Sequence, residues 1–179
     1  MTQLTSQRIL AGLLATLTAA STDPLLAQAD NYGPDNTARR QEATNRMQGR
    51  AHESIHLMHG RGLVIEGVGI TGTRGWRVEM DEDPDAGDER VMRRELMYLE
   101  RGLSEIPPDV RLKIVMLHYP PFNADLEPNA FAKLLQSHEV DVLVYGHVHT
   151  GSYLEGNVNG IEYRLVSADH VDMRPVRIA

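Results

Sequence analysis

Val115-Met116-Leu117-His118-Tyr119-Pro120-Pro121-Phe122 and Val142-Leu143-Val144-Tyr145-Gly146-His147-Val148-His149 are the two stretches on which the reading of this chain turns. Each is a short apolar run that ends in histidine. Lys113 to Leu117 and Val140 to Tyr145 read as β-strands, the first ended by Pro120-Pro121. Between them, Pro128 to Ser137 carries Ala130, Phe131, Leu134 and Leu135 and reads as a helix. Strand, helix, strand is a βαβ-type unit. In parallel α/β sheets ligands gather outside the carboxyl ends of strands, where His118, His147 and His149 stand. If the two strands are neighbours, the three imidazoles converge. Neutral imidazole binds Zn, Fe or Mn, and Gly146 would let the chain turn so that His147 and His149 both face inward.

Outward from this unit, Leu63 to Ile65, Val68 to Ile70, Ile161 to Val166 and Pro175 to Ile178 also read as strands, most of them in one sheet. Met92, Leu96, Leu99, Leu103 and Ile106 recur at helical spacing and form one apolar stripe, with Asp88 as the expected N-cap and Pro107-Pro108 as the stop. The acidic stretch Asp81 to Glu89 lacks the spaced ligands of an EF-hand and reads as a solvated loop. Asp169 and His170 stand at a strand end, where such groups can orient a ligand imidazole, a role the sequence leaves open.

The first 61 residues have a different texture. Asp35 to Gly49 reads as a polar helix beginning near Asn36 or Thr37, after the turn formers of residues 30–37. Leu10, Leu13, Leu14 and Leu17 fit an amphipathic or buried helix. Arg8, the uncharged run Ile9 to Thr22 and then Ala27-Gln28-Ala29 also fit a secretory signal ending near Ala29, although Asp23-Pro24 interrupts it; export is therefore the alternative to a cytoplasmic location. The expected organisation is a loosely specified helical segment, 1–61, followed by a folded body, 62–179.

Composition narrows the chemistry. A length of 179 residues allows one well-buried core plus an appendage. The formal net charge of −7, with no compensating basic block, disfavours nucleic acid and anionic membrane surfaces as partners. Zero Cys excludes disulfides, thiolate zinc sites, iron–sulfur clusters and a cysteine nucleophile. Any metal must be held by His, Asp, Glu or Asn.

Two further motif matches lack their context. His52-Glu53-Ser54-Ile55-His56 spells HExxH, which binds zinc from one face of a sustained helix, but His59 follows too soon and Gly60 and Gly62 break any helix there. A zinc peptidase using His52, Glu53 and His56 is the remote alternative. Gly67-Val68-Gly69-Ile70-Thr71-Gly72 spells GxGxxG after a strand, but no helix pattern follows, so these glycines read as strand bends and close backbone approach.

Taken together, Gly72-Thr73-Arg74-Gly75-Trp76, Leu117-His118-Tyr119-Pro120-Pro121-Phe122, Tyr145-Gly146-His147-Val148-His149 and Leu165-Val166-Ser167-Ala168-Asp169 resemble, in order and spacing, a bacterial branch of the calcineurin-like metallophosphoesterases over residues 62–179. The resemblance implies an α/β fold, a β-sandwich flanked by helices and incomplete at its N-terminus. It implies two divalent cations, Mn, Fe or Zn, whose bound water attacks a phosphoester. On the family pattern His118 and His147 would bind one metal and His149 the other. Arg74 would reach a substrate phosphate, because a guanidinium matches phosphate bidentately; equally it could lie beside a packed indole.

The family's early Asp-x-His, bridging Gly-Asp and Gly-Asn-His-Asp motifs are absent from the sequence. Gly33-Pro34-Asp35-Asn36 has the separation from Trp76 of the last of these, but Pro34 cannot replace a metal-binding Asn. Three imidazoles without a bridging carboxylate could hold one cation and would not neutralise two. The expectation is therefore a metal-dependent phosphoesterase by family, impaired or inactive as this chain, with zero or one metal. The alternative is a non-catalytic remnant or partner-binding module of the same fold. The expected partners are a phosphoester substrate if active, and a second copy or a complementing chain that covers the missing half.

Overall fold

The architecture described here is that of a computed structural model, which describes residues 36–53, 55–76 and 86–178. In chain order the elements are α1 (Asn36–Gln48), β1 (Gly62–Ile65), β2 (Val68–Thr73), α2 (Ala86–Ser104), β3 (Leu112–Leu117), α3 (Ala130–Ser137), β4 (Val142–Tyr145), β5 (Gly156–Val158) and β6 (Ile161–Leu165). The chain divides into two units, Met58–Arg174 and Met1–Leu57 with Pro175–Ala179.

In the second unit, β1 to β6 form one mixed sheet of order β1-β2-β3-β4-β6-β5. The central strands β2, β3, β4 and β6 run parallel, and an antiparallel strand closes each edge. The fold is α/β, as expected. β3 and β4 are direct neighbours, with Leu117 opposite Tyr145, so both strands end at the same level and deliver their histidines to one edge of the sheet. Every residue of β2 and β4 is buried, as in parallel sheets covered on both faces.

Helices α2 and α3 pack together, with α2 against β1 and β2. The face they cover carries Val115 and Leu117 of β3, Leu143 and Tyr145 of β4, and Ile161, Tyr163 and Leu165 of β6, joined in the core by Leu99, Leu103, Phe131 and Leu135. The apolar stripe read from the sequence thus does build the core. Two details differ. Helix α2 begins at Ala86, which places Asp88 inside the first turn, where an acidic group favours the helix N-terminus, and not at the N-cap. The stripe also includes a fully buried carboxylate, Glu95, beside Tyr98 and Leu99.

The glycine-rich segment is a strand. A Cβ on Gly69 would collide with Ile106, and one on Gly72 with the Met116 carbonyl across the β2–β3 pair. The hexapeptide therefore serves close packing, as its lack of a following helix implied. Two hairpins come from positive-φ pairs at their turns, Glu66-Gly67 between β1 and β2 and Asn159-Gly160 between β5 and β6. The second makes β5, which the sequence reading missed. Conversely, Pro175 to Ile178 forms no strand: Asp172 and Met173 both take positive φ, and the chain leaves the sheet before Pro175.

In the first unit, α1 begins at Asn36 as expected, and the Gln48 side chain clamps the segment that follows it. Its Nε2 donates to the Ile55 carbonyl (2.6 Å), and its Oε1 accepts from Leu57 N (2.8 Å). That segment contains the HExxH match, and it is not a helix. Ile55 N closes a turn onto the His52 carbonyl, and His52, Glu53 and His56 are exposed. The peptidase alternative loses the single helix face that its ligands need. The proposed N-terminal helix or signal and Gly33-Pro34-Asp35 lie outside the described residues.

Candidate metal centre at the ends of β3 and β4

The site begins where β2 stops. Thr73, the last residue of that strand, donates its hydroxyl hydrogen to Glu95 Oε2, deep under α2, and the other carboxylate oxygen lies 3.4 Å from Arg94 Nη2. The next residue, Arg74, accepts the backbone N–H groups of both His118 (3.1 Å) and Tyr119 (3.0 Å) at its carbonyl. This ties the end of β2 to the turn that leaves β3. Gly75 takes a φ of 69°, and Trp76 then donates its indole N–H to Asp88 Oδ1 of α2 (3.2 Å). Helix α2 thus holds the Thr73–Trp76 segment through two carboxylates seven residues apart, on one helical face.

The turn after His118 is fixed from α3. Asn129 caps that helix, its Oδ1 accepting from Phe131 N (2.9 Å), while its backbone N–H donates to the Pro121 carbonyl (3.1 Å). Phe122 packs edge-on against Tyr145. The prolines end β3 as the sequence implied, and His118 is left half-buried at its tip.

After β4 the chain makes a tighter turn. Val148 N donates to the Gly146 carbonyl (2.9 Å), closing a γ-turn centred on His147, whose φ is 71°. Positive φ at a non-glycine residue in such a turn is strained, and strain of this kind collects at functional sites. The expectation that Gly146 would take up the turn is corrected: the unusual backbone belongs to His147 itself. Tyr145 anchors the loop beyond, its hydroxyl donating to the Leu154 carbonyl (2.5 Å) and accepting from Leu154 N (3.2 Å).

These turns bring His118 Nε2 and His147 Nδ1 to 3.1 Å from each other. One of the two nitrogens must carry a hydrogen for this to be a hydrogen bond. The separation is also that of two ligands on one cation: nitrogens at about 2.1 Å from a metal, 90–110° apart, stand about 3.0–3.4 Å from each other. The pair therefore fits a single divalent cation in place of the shared hydrogen. Burial, first, and then the nearby charges of His147, Arg74 and His149 push the His118 pKa below its ordinary value. Burial therefore favours the neutral, ligating form of His118.

His149 does not join the pair. Its Nδ1 lies 2.8 Å from Asp169 Oδ1, in the turn after β6, and this hydrogen bond holds the Asp169 carboxyl below its ordinary value. Among the described residues no group of three or more His, Asp or Glu side chains is placed to hold a metal ion. Among the described residues the two imidazoles are the groups spaced to share a cation, and no carboxylate is placed to bridge two. Arg74 meets both of its readings: the guanidinium carbon lies 4.3 Å from the centre of the Trp76 ring, and its charge reaches His118. Tyr119 closes the cluster, its ring 4.3 Å from that of His147 and edge-on to Trp76 at 5.7 Å. The sequence reading missed Glu95, whose only signal was an acidic residue within the apolar stripe of α2, and Tyr119.

The family model for calcineurin-like phosphoesterases matches residues 25–151. The match starts well upstream of Gly62, takes in β1 to β4 and both strand-end histidine motifs, and stops before β5 and β6. No curated protein and no solved structure matches the chain. Among the described residues no helix is long and apolar enough to cross a membrane. With more than two thirds of its length matched, and with both histidine motifs at adjacent parallel strand ends, the chain belongs to the calcineurin-like phosphoesterase family.

Proposed function

We propose that this protein is a metal-dependent phosphoesterase domain whose His118 and His147 hold one divalent cation, and that as this chain it hydrolyses phosphoesters slowly. The observation that carries the reading is the 3.1 Å approach of His118 Nε2 to His147 Nδ1, at the end of two adjacent parallel strands in a chain of this family. Zn, Mn or Fe at that point supplies Lewis acidity to a phosphoryl oxygen and to an attacking water. The protein's own groups do the rest. The backbone of His118 is fixed by the Arg74 carbonyl and that of His147 by its γ-turn, which sets where the two imidazoles start. The Arg74 guanidinium, steadied on the Trp76 ring, is the cation available to a phosphate beside the pair. Among the described residues no carboxylate joins the two neutral imidazoles, and a centre with its positive charge so uncompensated accounts for slow turnover.

The same lack favours a second reading, a non-catalytic binding module of the same fold, completed by a second copy or another chain. Hydrolysis of bis(4-nitrophenyl) phosphate separates the two. Turnover that requires added Mn or Zn and is lost in His147→Ala supports the enzyme. No cation-dependent turnover assigns the chain to the binding module, and turnover unchanged in His147→Ala overturns the centre at that residue.

A further inference from the structure

We propose that Asp88 is a positioning residue for the anion side of the site: by accepting the indole N–H of Trp76 it fixes the ring over which the Arg74 guanidinium lies, and so sets how tightly Arg74 holds a phosphate group. The inference rests on the reading of Arg74 as the cation that meets phosphate, and assigns control of that contact to a residue of α2.

Arg74 is unlike the other arginines whose side chains are paired. Arg93, Arg94, Arg101 and Arg164 lie within 3.5 Å of the carboxylates of Glu89, Glu95, Glu105 and Glu162. Among the described residues no carboxylate pairs with Arg74, and its guanidinium carbon lies 4.3 Å from the centre of the Trp76 ring instead. A cation over a ring face is held by the ring quadrupole and keeps its N–H donors for an anion. The charge also stands at the site, since it helps to lower the His118 pKa.

The seat itself is held from several sides. Trp76 is partly buried against the core, and the Tyr119 ring meets it edge-on at 5.7 Å. Asp88 Oδ1 accepts the indole N–H at 3.2 Å, which fixes the rotation of the ring about its side-chain bonds. A carboxylate bonded to the N–H also polarises the indole and makes its face more attractive to a cation. Bonded directly to Arg74, the same carboxylate would cancel the charge that a phosphate needs. Placed across the indole, it holds the seat and leaves the charge in place. The two roles differ in sign. By charge alone Asp88 repels phosphate, so its removal would tighten binding; as a positioning residue its removal weakens binding.

The test is ³¹P NMR of inorganic phosphate titrated with the metal-free full chain at about pH 8, where ordinary imidazoles are neutral. The native chain should bind phosphate, and Arg74→Ala should abolish the binding. Asp88→Ala and Trp76→Phe should each weaken it about two- to fivefold, the range for an exposed cation over a ring, and the double variant should be no weaker than either. Trp76→Phe tests the relay without a change in α2. Asp88→Asn keeps an accepting oxygen and loses the charge, so it should restore at least the native affinity. Unchanged or tighter binding in Asp88→Ala, losses that add in the double variant, or an Asp88→Asn as weak as Asp88→Ala would each overturn the proposal while the phosphate role of Arg74 stands. No binding by the native chain, or binding unchanged in Arg74→Ala, overturns that role and the proposal with it. The titration needs neither cation nor turnover, so absence of hydrolysis leaves its outcome untouched.

Discussion

The buried Glu95–Thr73 pair is the contact through which α2 holds the edge of the candidate site, and its removal has a calculable cost. Glu95 is 1% exposed and Thr73 9%, so neither group finds water if its partner is removed. A hydrogen bond to a charged group contributes about 1.5–3 kcal/mol, and that is the expected loss for Thr73→Val, which leaves the carboxylate short of a donor. Glu95→Ala opens a void and strands the threonine hydroxyl and the Arg94 contact, which together cost about 3–5 kcal/mol. The double variant should cost less than the sum of the two, with a coupling of about 1–3 kcal/mol. Urea unfolding followed by fluorescence suits the measurement, because Trp76 is the chain's single tryptophan and is bonded to the same helix. Single-variant costs below about 0.5 kcal/mol, or strict additivity within the same margin, would refute the contact. A further consequence is local. Thr73 precedes the carbonyl that receives the His118 and Tyr119 amides, so Thr73→Val should also weaken cation binding at His118.

Other outcomes follow from single features. Gly72→Ala should destabilise the sheet by about 1–3 kcal/mol, since the obstruction is the Met116 main chain and cannot swing away; a thermal melt no lower than that of the native chain would contradict the packing. His147→Gly should be more stable than His147→Ala by about 1 kcal/mol in the metal-free chain, because glycine relieves the positive φ; equal denaturation midpoints would argue against the γ-turn. Burial raises the pKa of the Tyr163 phenol above its ordinary 10.0. The unfolded chain therefore loses that proton first as pH rises, stability falls above about pH 10, and Tyr163→Phe should flatten the fall. A Phe variant with an unchanged alkaline slope would count against the burial.

Much of this was legible in the sequence, for identifiable reasons. The strands ending in His118 and His147 showed as apolar runs stopped by prolines or glycine, and the helix between them made their parallel pairing the natural topology. The stripe of α2 set its register on the sheet. The weak start of α2 was misread because Asp88, an ordinary capping residue, serves Trp76 instead. β5 escaped because three residues carry no periodicity, although the Asn159-Gly160 turn marked the hairpin. The site was half legible. Residue types gave three histidines at one sheet edge, but which nitrogens meet depends on a γ-turn at His147 and on Asp169, a partner 20 residues from His149. Spacing within a motif does not encode either. Arg74 shows the same limit: its charge marked it for phosphate, while its stacking on Trp76, with Gly75 at positive φ between them, is set by the fold.

The most direct test of the account is the number of cations the chain holds. After equilibration with Zn or Mn and dialysis, elemental analysis should find one tightly bound cation per chain. It should be lost in both His118→Ala and His147→Ala and retained in His149→Ala. Two tightly bound cations in the native chain, or one that survives the loss of His118 or His147, would contradict a centre built on that pair.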